Sequence, residues 1–220
     1  MRRRAVRMLQ VVILLLIIVA GTGCGAAGSP TPAGGDQLSQ GIAHLEAGRV
    51  DEAIAELEAA TKADLSSVEA HFRLGNAYAQ QGSLEEAAQA FQQVLVLDPD
   101  NADAHSNLGV VYYQQGQLDK AVEQFEKARD LVPKDAEIRY NLASSYIQSG
   151  RLDEAAAELE AAKGLDPDMP LVWYGLGSLY ALRNQNAEAI EAFERFLELG
   201  SDDPRAISEA EKQLELLKGK

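Results

Sequence analysis

Apolar and polar residues follow two periods along this chain. Within short stretches apolar side chains recur every three or four residues, the spacing that places them on one face of a helix. The whole arrangement then returns every 34 residues: 68–101, 102–135, 136–169 and 170–203 are copies of one unit, with a weaker copy at 34–67. Numbering each copy from 1, position 7 is Leu74, Leu108, Leu142 and Leu176, and position 11 is Tyr78, Tyr112, Tyr146 and Tyr180. Position 20 is Ala53, Ala87, Ala121, Ala155 and Ala189, and position 24 is Leu57, Phe91, Phe125, Leu159 and Phe193. Positions 4, 7, 8 and 11 share one face of a first helix, and positions 17, 20, 24 and 27 share one face of a second. Position 8 is Gly75, Gly109, Ala143 and Gly177. Glycine inside a helix costs about 1 kcal/mol against alanine, so its return there predicts a close approach, with small residues at 8 and 20 making room for the large ones.

The punctuation agrees. Gly48, Gly82, Gly116 and Gly150 stand at position 15, where the first helix must stop, and Asn184, the usual substitute in a left-handed cap, stands there in the last copy. Pro99, Pro133 and Pro167 follow the second helix at position 32, since proline cannot continue one. After the last copy, Asp203-Pro204 reads as a cap and first turn. Ile207, Ala210, Leu214 and Leu217 then form an apolar stripe opposite Glu209, Glu211, Lys212 and Glu215. The pattern predicts an all-α chain of five helical hairpins over 36–203, closed by a capping helix over 204–220.

These residues resemble the tetratricopeptide repeat (TPR), most closely in the last copy through Trp173, Leu176, Gly177, Tyr180, Ala189 and Phe193. The first copy departs most, with Gln40 for Leu and His44 for Tyr. The resemblance implies a right-handed α-solenoid with a concave face lined by positions 2, 5, 9, 12 and 13 of each first helix. Carried over residue by residue, that face holds Glu69, Phe72 and Asn76, then Asp103, Val110 and Tyr113. Farther along come Glu137, Tyr140 and Ile147, and finally Leu171, Tyr174 and Leu182. Phe72, Tyr113, Tyr140 and Tyr174 read in two ways, as rigid anchors for a partner segment or as supports for neighbouring turns. Glu69, Asp103 and Glu137 would favour Lys or Arg in that partner. Repeats that clasp a terminal carboxylate present Lys or Arg in the groove, whereas position 5 here is Phe72, Ser106, Tyr140 and Tyr174.

The N-terminus is of a different kind. Arg2, Arg3, Arg4 and Arg7 precede an unbroken apolar run from Val11 to Ala20, followed by small residues up to Cys24. Basic start, short apolar core and small-residue end are the three parts of a secretory signal, and the run is short of the about 20 residues a membrane span needs. The ending Ala20-Gly21-Thr22-Gly23-Cys24 resembles the lipobox of bacterial lipoproteins, although Gly21 stands where Leu is common. The resemblance implies a signal over 1–23 and acylation of Cys24, palmitate included; simple cleavage and a single uncleaved anchor are the alternatives. Residues 24–35, small and uncharged, read as a flexible tether.

Composition narrows the function. The 20 Lys and Arg face 34 Asp and Glu, a formal net charge of −14. Such a surface repels nucleic acid, whose binding rests on cations neutralising phosphates. One cysteine and three dispersed histidines argue against a disulfide or a metal centre. No nucleophile, acid–base or phosphate-cradling set can be assembled, so neither an enzyme nor a cofactor is expected. The expectation is a lipid-anchored adaptor outside the cytoplasm, holding an extended or helical segment of a protein partner and organising an envelope assembly. The alternative is a scaffold that self-associates and leaves its groove without a peptide.

Overall fold

The computed structural model describes residues 34–219; the basic and apolar leader, Cys24 and most of the expected tether lie outside the described residues. The described residues form eleven α-helices and no strand. The hairpins are α1 (Gly35–Glu46) with α2 (Val50–Ala63), α3 (Val68–Gln81) with α4 (Leu84–Leu97), and α5 (Ala102–Gln114) with α6 (Leu118–Leu131). They continue as α7 (Ala136–Gln148) with α8 (Leu152–Leu165) and α9 (Pro170–Leu182) with α10 (Asn186–Leu199), and α11 (Pro204–Lys218) closes the series. The first helix begins at Gly35, the residue where the tether was expected to end. Gly34 caps it at φ 86°, where an added Cβ would sit 2.9 Å from the Ala60 carbonyl oxygen.

Local chemistry sets these boundaries. Ser67, Asn101, Asp135 and Asp203 each accept hydrogen bonds from backbone N–H groups in the first turn of the helix they precede, satisfying donors that a helix start leaves free. At position 15, Gly48, Gly82, Gly116, Gly150 and Asn184 all have φ between 58° and 88°, ending every first helix in the left-handed conformation.

Between the two helices of each hairpin lies the expected core. Position 20 alanines are fully buried, and Phe91, Phe125, Leu159 and Phe193 at position 24 are at most 1% exposed. Positions 3 and 10 are a second buried seam that the helical spacing did not single out: Ala70, Ala104, Ile138 and Val172, with Ala77, Val111, Ser145 and Leu179. Ser145 is fully buried, and its hydroxyl is satisfied by donating to the Asn141 carbonyl at 3.0 Å.

Polar links join one hairpin to the next in the same register. Tyr78, Tyr146 and Tyr180 donate their hydroxyls to Glu58, Glu126 and Glu160, twenty residues back, while Tyr112 accepts from Gln92. Burial first, and then the bond to a carboxylate, push Tyr78 and Tyr146 up to about 12. Position 4, expected as a packing position, does something more specific. The side chains of His71, His105, Arg139 and Trp173 reach back to the carbonyls of Leu65, Pro99, Pro133 and Pro167 at 2.8–3.2 Å. Three residue types share one property, a ring or guanidinium N–H at the right height to bond the turn carbonyl at position 32. Glu158, mostly buried, lies between Arg139 at 2.5 Å and Arg129 at 2.9 Å and ties the third and fourth of these units together.

Successive first helices touch one another, α1 with α3, α3 with α5, α5 with α7 and α7 with α9, whereas among the described residues the second helices make no comparable contact with each other. The first helices therefore lie on the inner side of the bend. The capping helix repeats the pattern of a first helix: Ala206, Ala210 and Leu214, at positions 3, 7 and 11 of an unfinished sixth unit, are buried against the fifth.

Candidate docking groove

The inner face carries residues of positions 5, 6, 9, 12 and 13 around its hollows. Side chains there divide into wall, floor and rim. Phe72 is half-buried, its ring edge on Phe91 with centroids 5.8 Å apart. Tyr174 is tilted over Phe196 at 5.4 Å and edge-on to Phe193 at 6.0 Å. The Phe72 and Tyr174 rings thus prop the core, as the reading of these aromatics as supports expects.

At the junction of the third and fourth hairpins, Val110, Tyr113 and Gln114 from α5 face Tyr140, Asn141 and Ser144 from α7 across a hollow of about 280 Å³ with Phe125 as its floor. At the junction of the fifth hairpin and the capping helix the same construction returns. Tyr174, Ser178, Ala181 and Leu182 from α9 face Glu209 and Gln213 from α11 over Phe193, around about 330 Å³. Positions 9, 12, 13 and 24, with position 6 of the following unit, build both. Between them, at the fourth and fifth hairpins, the space is taken. Position 6 is Gly175 there, and a Cβ on it would meet Leu159 at 2.8 Å and the Tyr140 ring at 3.4 Å.

Burial pushes the Tyr113, Tyr140 and Tyr174 phenols above their ordinary range, and the nearby Glu209 carboxylate pushes Tyr174 further in the same direction. The Tyr140 phenol is also pushed up by Tyr113, Tyr174 and Asp203, and the Ser144 hydroxyl acts in the opposite direction. Glu209 itself is held below the usual carboxylate range by the Gln213 amide and then by Lys212.

Of the other expected groove residues, Asn76 accepts from Asn107 at 3.0 Å, a polar rung between α3 and α5. Glu69 is exposed and paired with Arg73 at 2.6 Å. Asp103 and Glu137 are exposed at the rim and make no ion pair among the described residues. Ile147 packs half-buried against the main core. Leu182 is 56% exposed at the groove edge, while Leu171 is drawn away to a separate depression with Leu199 and Ser201. The structure adds Asn141, Glu209 and Gln213 to the face. Position 6 was legible, because it lies three residues before position 9 on the same helical face. The two capping-helix residues follow once that helix is counted as a sixth first helix.

Family models agree with this architecture: one described as TPR repeat matches residues 41–82 and 75–116, and one described as Tetratricopeptide repeat matches 106–170 and 140–204. No curated protein matches the chain significantly. Among solved structures it is similar to MamA (MSR-1), at 30% identity over 74% of this chain and 94% of the other, with a TM-score of 0.64. MamA residues 41 to end from Desulfovibrio magneticus RS-1 share 25% identity over 76% of this chain and 97% of that one, with a TM-score of 0.70. YrrB, described as a TPR protein with an unusual peptide-binding site, is alike in fold, at 23% identity over 80% and 90% of the two chains and a TM-score of 0.66.

Proposed function

The chain belongs to the tetratricopeptide-repeat family, and from that premise we propose that it is an adaptor held at a bacterial membrane outside the cytoplasm, which grips a segment of a protein partner along its inner face and so organises an envelope assembly. Stacked repeats offer an extended concave surface suited to binding a protein. The observation that carries the reading is the inner face itself. Half-buried aromatic side chains line hollows there, and no Lys or Arg stands at positions 2, 5, 9, 12 or 13 of the four copies in 68–203, while Arg73 at position 6 is paired with Glu69. Rigid aromatics with one face free are good anchors, and Asp103, Glu137 and Glu209 attract a basic segment.

The membrane part of the proposal rests on the leader and on Cys24 as the single cysteine where a lipobox ends. Two acyl chains give stable anchoring where one gives marginal binding. Mass measurement of the mature N-terminus is expected to show an acylated Cys24, and Cys24→Ser to move the protein out of the membrane fraction. An unmodified cysteine in a membrane-held chain would leave the uncleaved anchor in its place.

The groove part is tested by affinity capture with Val110→Lys or Ser144→Lys, which place a cation in the third–fourth junction without removing a core ring. Loss of specific partners is expected; capture of the same set would remove the groove from the account. Self-association is the second reading, favoured by Leu65 and Val96, each 72% exposed. Light scattering separates the two: a monomer with the groove free supports the adaptor, and an oligomer that covers the groove supports the scaffold.

A further inference from the structure

Two hollows of the same construction lie on the inner face, one at the junction of α5 and α7 and one at the junction of α9 and α11. The junction between them is filled by Leu159 and Tyr140 against Gly175. They differ in chemistry. The first is apolar at its base, with Val110 and Phe125, and carries the Asn141 amide and the Tyr113 and Tyr140 phenols at its mouth. The second holds a carboxylate, Glu209, beside the Tyr174 and Phe193 rings. An aromatic floor with a carboxylate at its side suits a cation, through both charge and ring face. Glu209 already meets Lys212 at 3.4 Å, but that pair lies in solvent and such pairs contribute little.

Resting on the groove reading, we propose that the inner face recognises an extended segment of a partner protein carrying a large apolar residue and, about five to six residues away, a Lys or Arg. The apolar residue seats between α5 and α7 and the cation between α9 and α11. The spacing follows from geometry. Neighbouring packed helices lie about 8–10 Å apart, so two steps along the first helices cover about 16–20 Å. An extended chain advances about 3.3 Å per residue. An extended segment is favoured because amide side chains return along this face, with Gln80, Gln114 and Gln148 exposed at position 13 and Asn141 at the first hollow. They offer donors and acceptors to a backbone whose own groups are free, whereas a helix has already used its groups internally.

The experiment selects a displayed library of random peptides of about twelve residues on the full chain in mild detergent. Enriched sequences are expected to pair an aromatic residue or Leu with Lys or Arg at the stated separation, and to bind at least about tenfold more tightly than the same peptides with the separation halved. Repeating the selection on Glu209→Lys is expected to remove the basic preference and keep the apolar one; Ser144→Trp, which fills the first hollow, is expected to do the reverse. Glu209 is partly exposed and is not among the residues that pack the capping helix on the fifth hairpin, so its variant stays informative if Ser144→Trp unfolds. Peptides that enrich, and that Val110→Lys blocks, but that lack the spaced pair, overturn this inference and leave the groove reading intact. No enrichment at all overturns both.

Discussion

Position 8 packs directly against what stands sixteen residues later. Gly75, Gly109 and Gly177 face Phe91, Phe125 and Phe193, and a Cβ at any of them would fall 2.7–2.9 Å from the ring. Where the facing residue is Leu159, position 8 is Ala143. The one methyl stands opposite a leucine and never opposite a ring, although a leucine does not by itself admit it: Gly41 faces Leu57, and a Cβ there would fall 2.6 Å from that side chain. Gly109→Ala is expected to destabilise the protein by about 1–3 kcal/mol through overpacking, as read by chemical denaturation. Adding Phe125→Leu should recover part of that loss, because it rebuilds the pair found in the fourth hairpin; a double variant worse than the sum of the two singles would contradict the coupling. The tyrosines of position 11 give a second test at this scale. Their folded-state values of about 12 for Tyr78 and Tyr146 exceed the ordinary value of about 10. Their contribution to stability is therefore fully present below about pH 10 and is lost as pH rises towards 12. Phenolate absorbance should show tyrosines that ionise well above pH 10, with the unfolding midpoint falling over the same interval. Ionisation of every tyrosine near pH 10 would contradict it.

At the scale of the element, the capping helix closes the fifth hairpin by covering Phe196 and its neighbours with Ala206, Ala210 and Leu214. Ending the chain at Asp203 exposes that apolar face, which a stack of repeats cannot leave open to water without loss of solubility. The truncated protein is expected to bind an apolar dye and to unfold at a lower temperature; an unchanged midpoint would mean that the helix is an appendage. This helix was readable in the sequence, since its stripe and its Asp-Pro start are local signals. The hairpins were readable for the same reason, together with their stops at position 15. Positions 3 and 10 were not singled out, because alanine or serine stands there in half of the cases (Ala70, Ala77, Ala104 and Ser145) and breaks the recurrence that Ile138, Val111, Val172 and Leu179 would otherwise show. Nor was the role of position 4: His, Arg and Trp share no hydropathy, and what unites them is an N–H aimed at a carbonyl in another unit.

For the molecule as a whole, the inner face follows from an asymmetry of packing, first helices touching first helices while second helices stay apart. Of the residues carried over from the family pattern, Val110, Tyr113, Tyr140, Tyr174 and Leu182 line the two hollows. Leu171 lies in its own depression and Ile147 serves the core. The two hollows were beyond the sequence, because they depend on which ring tilts into which junction. Acidic residues along the face also set a condition on binding. Capture of a basic segment should weaken as salt rises, mainly through slower association, and salt-independent capture would remove charge from the account. The central claim is that a partner lies on the inner face, and a photoreactive residue placed at Ser144, compared with one at the exposed outer position Gln89, tests it most directly in intact cells. The account predicts a discrete adduct with a different protein from Ser144 and none from Gln89. The same adducts from both positions, or one from Gln89 alone, would contradict it.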